Sequence, residues 1–328
     1  MIYLQNFIFP SEYTEEKYLN EFYGAYNTGN TYYTNMYPFR VLSGIGMFRV
    51  DFEPITILYG GNGSGKSTAL NVISQKLHIE RQSAYNSGEL MDAYVKLCSF
   101  ETDMRWTGEE FSMTGHRSER YDIGEISCMI TSDDIFKVLL QERVSREQTL
   151  IKSHMLTDKA VAIKKGRWAD FKFSRHLDFE TGENVQQYKD AVEIRKKSVS
   201  QYLKAKLGKE EPGMSNGENS FVYMSELLQK EGLYLLDEPE NSLSPEMQIK
   251  LSDLLLYMAR YNNSQIIMAT HSPFLLSTPY AKIYNLDGAP ACVSKFEELE
   301  AMQVYYEFFM SMKDKFEKPT ECITRGGL

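Results

Sequence analysis

Ile55-Thr56-Ile57-Leu58-Tyr59-Gly60-Gly61-Asn62-Gly63-Ser64-Gly65-Lys66-Ser67 is the stretch from which the rest of this 328-residue chain can be understood. Its first five residues are apolar or β-branched, as suits a strand buried on both faces of a mostly parallel sheet. The next eight fit G-x-x-x-x-G-K-[ST], and the glycines let backbone N–H groups turn inward to cradle phosphate oxygens at a helix N-terminus. Lys66 can reach the β- and γ-phosphates, and the Ser67 hydroxyl can bind Mg²⁺. Gly60, Asn62, Gly63, Ser64, Gly65 and Thr68 complete the expected nucleotide-binding turn. A helix is predicted from Ser67 to Leu77, with Leu70, Ile73 and Leu77 on one face.

Working outward, Phe39–Gly44 (FRVLSG) and Met47–Pro54 (MFRVDFEP) read as short strands bounded by Gly and Pro. Residues 1–37 read as a strand or helix followed by a loop, with a turn cluster at Asn27-Thr28-Gly29-Asn30. Downstream, Ala93–Phe100, Met104–Gly108, Glu109–Gly115 and Glu125–Thr131 read as further strands and turns. The last third reads as αβ units: a helix at Ser220–Glu231, strands at Leu233–Leu236, Gln265–Ala269 and Ala281–Leu286, and a helix at Pro245–Arg260. Ser244 is a natural N-cap for that helix, with Pro245 in the first turn and Glu246 near the positive dipole end. Met247, Leu251, Leu254 and Met258 then share a face. Strands alternating with helices predict an α/β fold.

The second chemical motif is Leu233-Tyr234-Leu235-Leu236-Asp237-Glu238, an apolar strand ending in two acids. Next to a phosphate loop, Asp237 is placed to hold a Mg²⁺ shell through water. Glu238 can then orient or deprotonate an attacking water.

This ordered set resembles the ABC-type ATPases of the AAA superfamily, in the soluble branch near the RecF, SMC-type and OLD-like defence ATPases. Met214-Ser215-Asn216-Gly217-Glu218 resembles the family signature, with Asn216 in place of a glycine and Glu218 in place of glutamine. Glu240-Asn241-Ser242-Leu243-Ser244 resembles the D-loop, and Ala269-Thr270-His271-Ser272-Pro273 the switch-histidine segment. The resemblance covers Phe39 to about Glu80 and Ser215 to Leu286, and little between. It implies an ATPase head with a mixed or parallel sheet core, an antiparallel N-terminal β lobe and a helical insertion. It also implies ATP and Mg²⁺ as ligands, with Lys66, Glu238 and His271 as catalytic residues and Ser67 and Asp237 at the metal. Two copies would sandwich ATP, with Ser215, Gly217 and Glu218 of one facing the triphosphate of the other. His271 would report the loss of the γ-phosphate. By order, a Q-loop equivalent falls near Ser132 and Asp133, or at Gln141. Phe39 and Tyr59 are candidates to stack on adenine.

Composition sets the outer limits. With 36 Lys and Arg against 45 Asp and Glu, the chain has a formal charge of -9, which argues against coating nucleic acid over its whole surface. Residues 143–209 depart from this. They hold sixteen basic and eight acidic side chains and read as a largely helical insertion within a single domain, 1–328. Trp168, Phe171 and Phe173 interleave there with Lys164, Lys165, Arg167 and Lys172, a pattern that suits DNA or RNA, while a helical hairpin docking a protein partner suits it equally. No apolar run reaches the roughly 20 residues of a membrane span, and no secretory signal is visible. Four scattered cysteines form no CxxC pair, so a cytoplasmic location is expected.

The leading expectation is therefore a cytoplasmic ATPase acting on nucleic acid or gating a partner effector such as a separate nuclease, in antiviral defence or DNA repair. The nucleotide-binding subunit of an ABC transporter is the alternative. A module that holds ATP without turnover, or a P-loop kinase, accounts for fewer of the motifs.

Overall fold

The computed structural model describes residues 2–25, 36–81, 88–102, 127–165, 192–207, 216–228 and 231–317. Among them ten strands form two sheets. Strands β1 (Leu4–Ile8), β2 (Arg49–Asp51) and β5 (Ser99–Thr102) make an antiparallel sheet in the order β2-β1-β5. The larger sheet contains β3 (Ile55–Tyr59), β4 (Glu80–Arg81), β6 (Cys128–Thr131), β7 (Leu233–Asp237), β8 (Gln265–Ala269), β9 (Lys282–Asn285) and β10 (Cys292–Ser294). Its order is β10-β9-β3-β8-β7-β6-β4, parallel throughout except for β10 against β9. The fold is α/β, with a mixed sheet, an antiparallel sheet and helices.

The central strands are apolar because both of their faces are covered. Leu233 to Leu236 and Ile266 to Ala269 have no exposed side chain, and every residue of β3 is buried. Gln265 joins the two sheets. Its amide oxygen accepts the N–H groups of Tyr3 and Leu4 at 2.8 Å each, and its amide nitrogen donates to Leu4 O at 2.9 Å and to Glu53 O at 3.4 Å. A buried amide is tolerated because its donors and acceptor are matched.

The helix Lys66–Lys76 follows the glycine turn, with Leu70 and Ile73 fully buried. The helix Pro245–Tyr261 starts as its sequence predicts: the Ser244 hydroxyl accepts from the Met247 N–H, and Pro245 occupies the first turn. Leu251, Leu255 and Met258 form its buried face.

Two predicted strands are something else. Phe39–Gly44 forms turns and leads into a short 3₁₀ helix, Ser43–Ile45. The buried Glu15 carboxylate captures the Arg40 N–H at 2.7 Å and the Ser43 hydroxyl at 2.8 Å, so a backbone group that a ladder would need is already bonded. Ala93–Phe100 is mainly the end of a helix, Glu89–Leu97, followed by β5. Leu90, Met91 and Tyr94 recur at helical spacing on its buried side, while Glu89, Asp92 and Lys96 suit the dipole. The expected strands at Met104–Gly108 and Glu109–Gly115 and the turn at Asn27–Asn30 lie outside the described residues.

The chain divides into two units, Met1–Ile135 with Asn216–Leu328, and Phe136–Ser215. The described part of the second unit is helical. It contains most of the helix Ser132–Lys164, a helical turn at 192–196, and the helix Val199–Leu207. Its small core is Ala160, Ile163, Ile194 and Tyr202, flanked by an ion pair of 2.8 Å between Lys197 and Glu193. Trp168, Phe171 and Phe173 lie outside the described residues, as do Arg167 and Lys172.

Candidate nucleotide site

Strand order places the chemistry. In the sequence of neighbours β3-β8-β7, all parallel, the chain leaves β3 at Gly60, β7 at Asp237 and Glu238, and β8 at Thr270 and His271. The phosphate-type turn, the two acids and the histidine therefore share one carboxyl-terminal sheet edge, where open α/β sheets bind ligands.

The turn is shaped by its glycines. Gly63 and Gly65 have φ of 84° and 94°, a region costly for any residue with a side chain. A Cβ at Gly65 would also come within 3.0 Å of Leu42, and one at Gly60 within 2.5 Å of the Ser64 hydroxyl. That hydroxyl is buried without a hydrogen-bond partner among the described residues. Lys66 is buried, its ammonium held by Gly60 O at 2.6 Å and Gly61 O at 2.8 Å. Two of its three donors are thus used, and a buried ammonium is costly without further anionic partners. An orphaned hydroxyl, a buried cation and glycines at positive φ fit phosphate oxygens. Gly61, Asn62 and Gly63 are exposed, and the Gly61 N–H donates to Asp287 at 2.7 Å.

Ser67 donates to Asp237 Oδ1 at 2.9 Å. Burial pushes the Asp237 carboxyl up to about 6, the neighbouring Glu238 charge adds to this, and Ser67, Lys66 and Arg81 oppose it. A hydroxyl and a carboxylate make an oxygen donor pair suited to Mg²⁺, which binds through few protein ligands plus phosphate oxygens. Among the described residues no group of three or more His, Cys, Asp or Glu side chains could hold a metal alone.

Glu238 sits in the left-handed region at φ 50°, ψ 53°. Its N–H donates to Ala269 O at 2.9 Å, which ties the end of β7 to β8, and Asn241 donates to its carboxylate at 2.9 Å. Such backbone strain persists only where the surroundings enforce it. The His271 ring is about half exposed and lies beside the Glu240 carboxylate.

Gly217 and Glu218 open the helix Asn216–Leu227, and Ser215 lies outside the described residues. A Cβ on Gly217 would come within 3.3 Å of Ser242 O, so this position packs closely on the 240–244 turn. Ser132 and Asp133 start the helix that follows β6, next to β7, while Gln141 is exposed and belongs to the second unit.

Neither aromatic expected at adenine is free to stack on it. Phe39 is 3% exposed, stacked on Tyr18 and edge-on to Tyr94, and Tyr59 is also 3% exposed. The Tyr37 hydroxyl reaches the turn's helix, donating to Thr68 at 3.2 Å. No spacing rule points to Tyr37 from sequence; the contact crosses 31 positions. Arg81, on β4, bonds Asn71 and lowers the Asp237 carboxyl. The sequence does not mark it either, for it sits on a two-residue strand with no motif around it.

Residues 163–277 match a family model described as "AAA domain, putative AbiEii toxin, Type IV TA system". The match spans the acid pair, the 240–244 turn and His271. The glycine turn at 60–67 lies outside it. No curated protein matches the chain. Among solved structures, an Smc head domain from Pyrococcus furiosus, bound to a ScpA domain, is 14% identical with a TM-score of 0.36, covering 80% of this chain and 95% of that one. A dimeric ATP-binding cassette with ADP and phosphate is 14% identical at TM-score 0.34, covering 76% and 88%. Part of an ABC transporter complex from Clostridium perfringens is 15% identical at TM-score 0.34, covering 83% and 88%. The fold assignment rests on the strand order itself. No helix among the described residues is long and apolar enough to cross a membrane.

Proposed function

We propose that this chain binds and hydrolyses ATP with Mg²⁺, and that ATP joins two copies head to head to control a nucleic-acid-directed or partner effector in bacterial defence or DNA metabolism. The observation that carries the ATPase reading is the meeting of Ser67 with Asp237 beside the buried Lys66. Lys66 and the turn's N–H groups hold the phosphates, Ser67 and Asp237 hold the cation, and Glu238 receives the proton of the attacking water. Bound there, Mg²⁺ neutralises charge that develops on the phosphate oxygens. The dimer reading rests on Ser215, Gly217 and Glu218, whose signature-like pattern has a use only against a second copy's triphosphate. The effector reading rests on the basic composition of 143–209, and the cytoplasmic setting on four scattered cysteines with no CxxC spacing.

Turnover of ATP by the purified chain tests the proposal. Glu238→Gln should abolish turnover while retaining ATP, and light scattering should then find a dimer with Mg-ATP and a monomer without it. Unchanged turnover in Glu238→Gln overturns the catalytic assignment. A monomer at saturating Mg-ATP overturns the sandwich. Stimulation by DNA or RNA that falls with salt would identify the insertion's partner as nucleic acid.

A further inference from the structure

Glu240 is a carboxylate in an unusual place. It lies in the short 3₁₀ turn Pro239–Ser242, and its side chain is only 6% exposed. One oxygen, Oε1, accepts the His271 N–H at 3.0 Å and stands 3.4 Å from His271 Nδ1. The other, Oε2, is buried with no hydrogen-bond partner among the described residues. The His271 ring is 49% exposed, so it is held on one side and open on the other.

A second link runs parallel to the first. The Gln248 amide donates to Leu243 O at 2.9 Å and accepts from the Ser272 hydroxyl at 2.5 Å. The Ser272 hydroxyl in turn caps the short helix Pro273–Leu276. The turn that follows Asp237-Glu238 is thereby clamped to residues 271 and 272 at two points.

We infer that Glu240 is the positioning residue of His271, orienting its ring and tying it to the 239–244 turn. This rests on the ATPase reading above. Which imidazole nitrogen carries the proton is set by what the other nitrogen meets. A carboxylate oxygen facing Nδ1 at 3.4 Å favours a proton on that nitrogen and leaves Nε2 for the ligand. A phosphate oxygen can only accept, so it would bond Nε2 only where that nitrogen also bears a proton. Any movement of the turn is carried through Glu240 to the ring.

The test uses the full chain labelled with ¹⁵N-histidine, together with Glu240→Gln, His271→Ala and the double variant. Glu240→Gln keeps an acceptor for the His271 N–H, so it preserves the turn while removing the charge. In nucleotide-free protein the His271 signal, identified by its loss in His271→Ala, should report Nδ1–H in the wild type and move toward the Nε2–H tautomer in Glu240→Gln. In turnover, Glu240→Gln should lower kcat by about tenfold or more with KM for ATP nearly unchanged. The double variant should be no slower than His271→Ala. A His271 nitrogen spectrum unaltered by Glu240→Gln, or losses that multiply in the double variant, overturns the inference. If the wild type hydrolyses no ATP, the ATPase reading and the kinetic role of Glu240 fall together, and the nitrogen spectrum still decides whether Glu240 orients the ring.

Discussion

The hydroxyl of Ser67 donates to the Asp237 carboxylate at 2.9 Å across 170 positions of chain. Two motifs that are separate in sequence become one oxygen-donor site, because β8 lies between the strands that carry them and all three run in the same direction.

Cation binding should fail when either member is removed. Ser67→Ala and Asp237→Asn are each expected to lower turnover about a hundredfold and to raise the Mg²⁺ concentration needed for half-maximal rate. Chelating Mg²⁺ should stop turnover in the wild type. Magnesium titrations of the three proteins check this, and an unchanged half-saturation in Asp237→Asn would remove Asp237 from the metal site.

Gly65 should resist a side chain, whereas Gly44 should accept one. Gly65 combines φ of 94° with Leu42 at 3.0 Å from an added Cβ, while nothing lies within 4 Å of a Cβ at Gly44. Gly65→Ala is expected to cost about 1–2 kcal/mol or more. Gly44→Ala should stay within about 0.5 kcal/mol. Urea midpoints of the two variants compare them directly.

Glu15 makes stability depend on pH. Burial raises its carboxyl above the ordinary range, against the opposing bonds from Arg40 and Ser43. The native state therefore holds this proton to higher pH than the unfolded chain does, and stability falls as pH rises through that interval. Below the unfolded value the group is neutral in both states and costs nothing. Glu15→Gln keeps an acceptor without the charge, so its melting temperature should exceed the wild type's by about 2 °C or more near pH 8 and match it near pH 4. An equal difference at both values would remove the ionisation of Glu15 as the cause.

The cysteines should separate by reactivity. Burial pushes the Cys98 thiol up to about 12, whereas Cys292 is exposed. The thiolate is the reactive form. Alkylation of native protein near pH 8, read by peptide mass mapping, should label Cys292 promptly and spare Cys98 until the chain is denatured.

Much of the site is local and was therefore legible. The glycine turn is eight consecutive residues whose backbone demands only glycine meets, and the strand before it announces two-sided burial by being apolar throughout. Ser244 and Pro245 mark a helix start by chemistry within one turn. The run at Ala93 misled for an equally physical reason: Tyr94 and Val95 favour strands, and the helical period shows only when Leu90 and Met91 are counted with Tyr94. Phe39–Gly44 misled because the group that diverts its backbone, Glu15, is 25 residues away from Arg40.

The chain's order of residues settled that a glycine-rich turn after a buried strand, an acid-tipped strand and a histidine after a third strand exist, since each depends on neighbours a few bonds apart. Only tertiary structure decided that Glu240 faces one side of His271, that the Tyr37 hydroxyl meets Thr68, and that Gln265 ties one sheet to the other. Those choices depend on which strands lie side by side and on what each buried polar atom can reach, and sheet order is set by packing the whole chain at once.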